Sequence, residues 1–162
     1  MDRSRSNNVT LPSPSTHGEM AARRRGAEWA RALVGQAMSR PVLTIDATES
    51  LWDAWQLLSV SGLRHLVVVD DGRCLGVISD RMILTDIPVD AEQMRARVVG
   101  DLLSRAAART VRDTASLADV ARVMAGYSEE AVPVRDELGR LVGVVTGSDL
   151  VRWWADDGCE KP

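Results

Sequence analysis

The hydrophobic pattern from residue 42 onward predicts a short extended segment followed by a helix. Val42–Ile45 is an apolar-rich run of the kind that forms a strand. The next apolar residues recur at positions i, i+3, i+4 and i+7, which is the stripe of an amphipathic helix. Thr48 or Ser50 can cap this helix, and Gly62 ends it. The residues of the stripe are Leu51, Ala54, Trp55 and Leu58.

Two further apolar runs predict a β-hairpin after this helix. The runs HLVVVD (65–70) and CLGVIS (74–79) are separated by Asp71-Gly72. Two β-rich runs joined across an Asp-Gly pair are typical of a tight hairpin turn. A second helix is expected from about Asp80 to Thr85.

The same order of elements returns about 66 residues later along the chain. The run AVPVRD (131–136) matches residues 65–70, and LVGVVTGSDL (141–150) matches CLGVISDRMI (74–83). A repeat of this length is too long for a solenoid unit. We therefore predict an α+β fold of two βαββα units related by a pseudo-two-fold axis. The second helical stripe is Leu117, Val120, Ala121 and Met124.

The repeat also sets the expected domain organisation. Residues 1–20 are rich in Ser, Asn and Pro and are expected to be disordered. Helical spacing from about Gly18 to Met38 predicts an N-terminal helix, placed at residues 21–38, which Pro41 ends. The first unit is expected at 39–95, the second at 96–155 and a short tail at 156–162. Upstream of the repeated helices and strands, Val-Gly at 34–35 matches Val-Gly at 99–100.

Composition favours a soluble binding protein over an enzyme. Apolar residues make up 45% of the chain and charged residues 27%, so a core can form in a soluble molecule. No apolar run approaches the 18 residues of a membrane span, and the N-terminus lacks a signal-peptide core. Two cysteines and two histidines leave little for disulfides, metals or acid–base catalysis, so we expect a cytoplasmic protein without catalytic or metal sites. Arg-rich, Lys-poor usage is typical of GC-rich bacterial genomes.

Charge is unevenly distributed between the N-terminal segment and the remainder. Residues 1–31 carry six arginines against three acids, whereas the remaining residues carry a net charge of −6. The mildly acidic remainder lacks the basic face that nucleic-acid binding needs. Arg-Arg-Arg at 23–25 could contact nucleic acid or anionic lipid, but a solvated charge run is the more ordinary interpretation.

One short motif at the start of the last predicted helix carries candidate binding chemistry. Thr146 and Ser148 can donate hydroxyl hydrogen bonds to phosphate at a helix N-terminus, whose backbone N–H groups and dipole also favour an anion. A carboxylate at Asp149 suits the two hydroxyls of a ribose. The same spacing, Thr146-x-x-Asp149, is also close to that of a helix capping box, which needs no ligand.

The first copy of this motif differs at the acidic position. Ser79 is kept and Arg81 can meet an anion, but Met82 replaces the carboxylate. A thioether is only a weak hydrogen-bond acceptor and cannot hold a diol. We therefore expect unequal clefts, with a competent one at the second copy and a degenerate or empty one at the first.

The doubled unit and its motif G-h-h-[ST]-x-x-D resemble paired cystathionine β-synthase (CBS) domains, or the Bateman module, over about residues 34–153. The resemblance implies an adenosine-containing ligand (AMP, ADP, ATP or S-adenosylmethionine) in the cleft between the units, and a homodimer formed through helices. By position, it adds Leu63, Arg64, Val42, Leu43 and Ala131 to the ligand residues. It also places Glu130 where some relatives have a basic residue, which disfavours a triphosphate.

Two functions compete at this point, and nucleic-acid binding by the basic N-terminal segment ranks third behind them. The first is a regulatory CBS pair without enzymatic activity that binds such a ligand and reports energy or stress status. The second is a ligand-free dimerisation or interaction scaffold for an unknown protein partner. Exposed tryptophans on the predicted helices would favour a protein interface. His65 and Cys74 are expected to be an ordinary packed histidine and an inert thiol.

Overall fold

The computed structural model describes residues 26–86, 90–103 and 107–155. The predicted disordered segment at 1–20, the arginine run at 23–25 and the C-terminal tail at 156–162 lie outside the described residues. Within the described part, no helix is long and apolar enough to cross a membrane.

The two sequence repeats fold as two similar units, which we call copy one and copy two. Copy one consists of β1 (Thr44–Asp46), α3 (Leu51–Ser61), β2 (His65–Asp70), β3 (Arg73–Ser79) and α4 (Asp80–Asp86). Copy two consists of β4 (Val111–Arg112), α6 (Leu117–Tyr127), β5 (Ala131–Arg135), β6 (Leu141–Thr146) and α7 (Gly147–Ala155). The remaining elements precede the copies: α1 (26–31), α2 (Val34–Ala37), α5 (Ala91–Ala96) and a 3₁₀ helix (Val99–Leu102).

Each copy contains one three-stranded sheet with the same connections. The first strand is parallel to the second, so the intervening helix crosses over the sheet, and the second and third strands form an antiparallel hairpin. His65 pairs with Ser79 in copy one, and Ala131 pairs with Thr146 in copy two. The predicted α+β class with two βαββα units is confirmed.

Turn and cap residues account for where these elements begin and end. Asp71 and Gly72 both have positive φ, of 45° and 73°, which is the geometry of a tight hairpin turn. The hydroxyl of Ser50 accepts the N–H of Asp53 and so caps α3, the second of the two predicted capping residues. Gly62 ends α3 in the left-handed conformation, as predicted.

The predicted N-terminal helix is interrupted. Residues 26–31 are helical, but Leu33 is extended, with φ −87° and ψ 143°, before α2 begins. Leu33 forms a bridge with Ser116, and the Ala32 carbonyl accepts the N–H of Leu117 at 2.8 Å. Prediction of one continuous helix to Met38 is therefore wrong at Ala32 and Leu33, because the Ala32 carbonyl and the Val34 N–H on either side of Leu33 bond to copy two instead of continuing a helical turn.

The segment before copy one completes copy two. The N–H of Val34 donates to the carbonyl of Ala115 at 2.8 Å, and the N–H of Gly35 donates to Asp113 at 2.9 Å. Val34 is fully buried in the core of copy two together with Met38. This core also contains Leu117, Val120, Met124, Val132, Val134 and Val145.

The segment before copy two completes copy one in the same way. The N–H of Val99 donates to Glu49 at 2.9 Å, and the N–H of Gly100 donates to Ala47 at 2.9 Å. Val99 is fully buried in the core of copy one. Each copy thus receives at least one buried core residue from the segment that leads into the other copy. The rest of the copy-one core is Ile45, Leu51, Ala54, Leu58, Leu66, Val68, Ile78 and Ile83.

Candidate functional site

A cavity of about 500 Å³ lies between the two copies. Copy one supplies the end of β3 and the first turns of α4, and copy two supplies the loop that leads into β5. The 3₁₀ helix between the copies closes a further side. The described residues that line the cavity are His65, Val77, Ile78, Ser79, Arg81, Met82, Thr85, Asp101, Leu102, Ser128, Glu129, Glu130 and Ala131.

The copy-one motif forms one wall of this cavity. Ser79 is buried, and its hydroxyl accepts the N–H of Met82 at 3.2 Å, so it caps the first turn of α4. The side chain of Met82 packs against the copy-one core. Arg81 extends outward, with 76% of its side chain exposed. The site that was predicted to be degenerate is therefore the one at which this cavity lies.

The carboxylate of Glu130, from copy two, lies beside two side chains of copy one at the cavity. One carboxylate oxygen, Oε1, is 3.6 Å from Nη1 of Arg81, and the other, Oε2, is 3.6 Å from Nε2 of His65. Nε2 of His65 is itself buried and has no hydrogen-bond partner among the described residues. A buried ring nitrogen beside a carboxylate and an open cavity is a group that a ligand could satisfy.

A second cavity of about 230 Å³ adjoins the first. Both cavities are lined by Val77, Met82, Leu102, Glu129 and Ala131, so they form one cleft between β3 and β5. The chain that leads into copy two adds residues 107–109. Arg109 donates to Glu129 at 3.2 Å, and its guanidinium lies 3.9 Å from the ring centre of Tyr127.

The copy-two motif uses its carboxylate internally. Asp149 is 5% exposed. Its Oδ2 accepts the N–H of Thr146 at 2.9 Å and the hydroxyl of Thr146 at 2.7 Å, while the Thr146 hydroxyl oxygen accepts the N–H of Asp149 at 3.3 Å. This reciprocal pair is the capping box that the spacing allowed.

The other carboxylate oxygen of Asp149 is also occupied. Oδ1 accepts the hydroxyl of Ser39 at 3.2 Å and Nη1 of Arg152 at 3.3 Å. Ser39 is held there by two backbone hydrogen bonds to Val144 of β6, of 2.8 and 3.2 Å. A ribose at Asp149 would have to replace some of these donors. Its role in ribose binding stays a prediction.

The remaining predicted ligand residues are spread over the molecule. Ala131 is buried and lines the cavity together with Ser79, Arg81 and Met82. The exposed Arg64 pairs with Asp80 at 3.3 Å, and the neighbouring Leu63 is 49% exposed.

The segment before β1 lies against copy one. Leu43 packs against the copy-one core, and its carbonyl accepts the N–H of Val67 at 3.1 Å. Val42 is partly buried beside it, and Ser148 is exposed on the first turn of α7. These residues and Thr146 lie outside the lining of the cavity.

Among the lining residues that sequence reasoning missed are Asp101 and Leu102 of the 3₁₀ helix. The matched Val-Gly pairs at 34–35 and 99–100 were the signal that could have found them, because they mark the segments that dock on the opposite copy. Cys74 is a buried thiol, as expected. Burial raises its pKa and outweighs the lowering effect of nearby Arg135, so the thiol stays protonated near neutral pH.

Comparison with known proteins gives related sequences for most of the chain. A CBS domain-containing protein of Dictyostelium discoideum is 32% identical over 131 residues, which cover 75% of this chain and 90% of that protein. The glycine betaine/carnitine/choline transport ATP-binding protein OpuCA of Bacillus subtilis is 34% identical over 119 residues. The match covers 73% of this chain but 30% of that longer protein.

Solved structures show the same fold with adenosine compounds bound. CBSX2 in complex with AMP is 29% identical, with a TM-score of 0.63, and the match covers 76% of this chain and 96% of that one. The CBS domain pair of protein MJ0100, in complex with 5′-methylthioadenosine and S-adenosyl-L-methionine, is 27% identical with a TM-score of 0.65. That match covers 77% of this chain and 97% of the other.

The family model for the CBS domain matches the chain twice, at residues 34–88 and at 99–156. The two matches correspond to the two copies of the fold and include the segments that the copies exchange. The chain therefore belongs to the CBS domain family and carries a tandem pair of these domains.

Proposed function

We propose that this CBS pair is a regulatory, non-enzymatic module that binds an adenosine-containing ligand in the cleft between its two copies. The observation that carries the proposal is the cavity of about 500 Å³ to which both copies contribute walls. A volume of this size falls within the range of small-molecule sites. Two related CBS pairs of known structure hold AMP, or 5′-methylthioadenosine and S-adenosylmethionine.

A ligand in this position would contact both copies at once. Ser79, Arg81 and Met82 come from copy one, while Glu130 and Ala131 come from copy two. Binding would therefore favour one relative arrangement of the copies over others, which is the condition for a ligand to act as a signal. Reporting of energy or stress status in the cytoplasm is the role we assign to such a signal.

Calorimetric titration with AMP and S-adenosylmethionine tests the proposal. We expect binding of at least one of them, and its loss in Thr85→Trp, which places a large ring at an exposed position lining the cavity. Ser148→Trp is the matched variant at the exposed first turn of α7 in copy two. Loss of binding in this variant alone would place the ligand at the copy-two motif, as the sequence predicts.

Absence of binding by both compounds at millimolar concentration would contradict the proposal. It would favour the second function, a ligand-free scaffold for self-association or for a partner protein. Exposed apolar side chains on or beside the outer helices support such an interface. They include Val60, Leu63, Leu84, Tyr127, Val151 and Trp154. Sedimentation equilibrium of the native chain, for which we expect a homodimer, tests this surface.

A further inference from the structure

The cleft between the copies is negatively charged, and its cations already have partners. Asp101, Glu129 and Glu130 line it, against the guanidinium groups of Arg81 and Arg109. Arg109 is paired with Glu129 at 3.2 Å, and Arg81 faces Glu130 at 3.6 Å. A phosphate that entered this cleft would compete with a carboxylate for either cation.

Among these acids, Glu130 lies beside two side chains of the opposite copy. Its two carboxylate oxygens each lie 3.6 Å from a group of copy one, Nη1 of Arg81 and Nε2 of His65. Among the described residues that line the larger cavity, these two have nitrogen-bearing side chains that could donate to a ligand anion. The carboxylate of Glu130 therefore occupies the position in which the phosphate of a nucleotide would accept hydrogen bonds from Arg81 and His65.

The main chain keeps this carboxylate in place without depending on it. The carbonyl of Glu130 accepts the N–H of Gly147 at 3.2 Å, and the adjacent Ala131 begins β5. The side chain of Glu130 is 55% exposed. Substitution of the side chain should thus change the charge of the cavity and leave the fold intact.

We infer that Glu130 determines the ligand class of the cleft by excluding phosphate. The inference rests on the proposed function and names its ligand more closely. The favoured ligand is an adenosine derivative whose 5′ substituent is neutral or positively charged, such as a thioether or a sulfonium. A nucleoside monophosphate binds less well, and a triphosphate binds least, because its charge repels the acids and competes with Glu130 for Arg81.

The test is a set of dissociation constants for four compounds: 5′-methylthioadenosine, S-adenosylmethionine, AMP and ATP. The native chain should bind the first two at least about tenfold more tightly than ATP, which corresponds to about 1.4 kcal/mol. Glu130→Gln should strengthen AMP and ATP binding about tenfold, weaken S-adenosylmethionine, and leave 5′-methylthioadenosine within about threefold.

Two further variants separate local contact from net charge. Glu137→Gln removes the same charge from the exposed turn after β5 and should leave all four constants unchanged. Arg81→Ala added to Glu130→Gln should abolish the gain for AMP, because the freed guanidinium is what the phosphate would use.

The outcomes distinguish this inference from the proposed function. Binding of adenosine compounds with the same order of affinities in the native chain and in Glu130→Gln would overturn the inference alone. An equal gain in Glu137→Gln would do the same, since net charge would then account for it. Failure of all four compounds to bind either protein would overturn the proposed function and the inference with it.

Discussion

Copies one and two have the same connections, the same helix caps and matching hairpins, yet they use the start of their last helix differently. In copy two the carboxylate of Asp149 is buried and accepts hydrogen bonds from Ser39, Thr146 and Arg152. In copy one the corresponding residue is Met82, which packs on the core and lines an open cavity. The copy with the more complete motif is thus the one whose acidic group is already engaged.

This difference shows that one motif can serve two purposes within one chain. A hydroxyl residue caps the last helix in both copies, since Ser79 accepts the N–H of Met82 and Thr146 accepts that of Asp149. The acid adds a second hydrogen bond to the cap and connects it to the segment before β1. Where the acid is missing, the space beside the helix is lined by groups from the opposite copy.

Removal of the Asp149 carboxylate should have the largest effect. Asp149→Ala leaves a buried hydroxyl, a backbone N–H and part of a guanidinium without their acceptor, so we expect the free energy of unfolding to fall by about 2–4 kcal/mol. Urea denaturation measures this loss.

Asp80→Ala is the matched change at the first turn of α4 in copy one. Asp80 pairs with the exposed Arg64 at 3.3 Å, and exposed pairs contribute at most about 1 kcal/mol. Equal decreases in the free energy of unfolding for the two variants would contradict a structural role for Asp149. They would favour the predicted role of its carboxylate in ribose binding.

A methyl group added to the third strand of each copy should sharpen the comparison. A Cβ at Gly143 would lie 2.8 Å from Cγ of Met38 and closer still to its sulfur, whereas a Cβ at Gly76 would lie 2.9 Å from a terminal carbon of Leu103. We expect Gly143→Ala to lower the free energy of unfolding by about 1–3 kcal/mol, and Gly76→Ala by less, because only a side-chain end must move there.

The double variant Met38→Ala/Gly143→Ala provides the control for this prediction. If overcrowding causes the loss, Met38→Ala should lower the free energy of unfolding less in the presence of Gly143→Ala than in the native chain. A double-mutant cycle in urea measures this difference. Additive effects would show that Met38 and Gly143 are not in tight contact.

The smallest effect concerns the thiol of Cys74, whose place in copy two is taken by Leu141. Burial raises the pKa of this thiol above its ordinary value of 9.0, although Arg135 partly offsets the rise. The unfolded chain therefore loses its proton first as the pH increases, and the folded state should lose stability above about pH 9.

The measurement is the difference in unfolding free energy between pH 8 and pH 10, with Cys159→Ser as the background. Cys74→Ala on this background should show a smaller decrease than its parent, because it lacks the titrating thiol. Identical decreases would show that Cys74 is accessible to solvent in the folded chain.

Most of the fold could be predicted because its signals are local. The stripes of α3 and α6, the Asp71-Gly72 turn and the cap at Ser50 are each specified within about ten residues of sequence. The interruption at Ala32 and Leu33 could not be predicted in this way. Its cause is pairing with Ser116 of the opposite copy, which helical spacing does not record.

The candidate site was harder to predict from the sequence for the same reason. Ser79, Arg81, Met82 and Ala131 were predicted as site residues and line the cavity, but the cavity itself depends on how copy two approaches copy one. The hydrogen bond from Ser39 to Asp149 joins residues 110 positions apart, and no sequence motif predicts it. Local chemistry and the family resemblance supplied candidate groups, and tertiary packing decides which of them face an open space.

The exchange of Val34 and Val99 between the two cores has a consequence for how the molecule opens. Neither core can be fully exposed unless the segment leading into the other copy is released as well. Amide hydrogens in the central strands of both sheets should therefore exchange with solvent through one shared opening event. We therefore expect the two repeats to unfold as a single cooperative unit, so that a destabilising substitution in either copy lowers the stability of both.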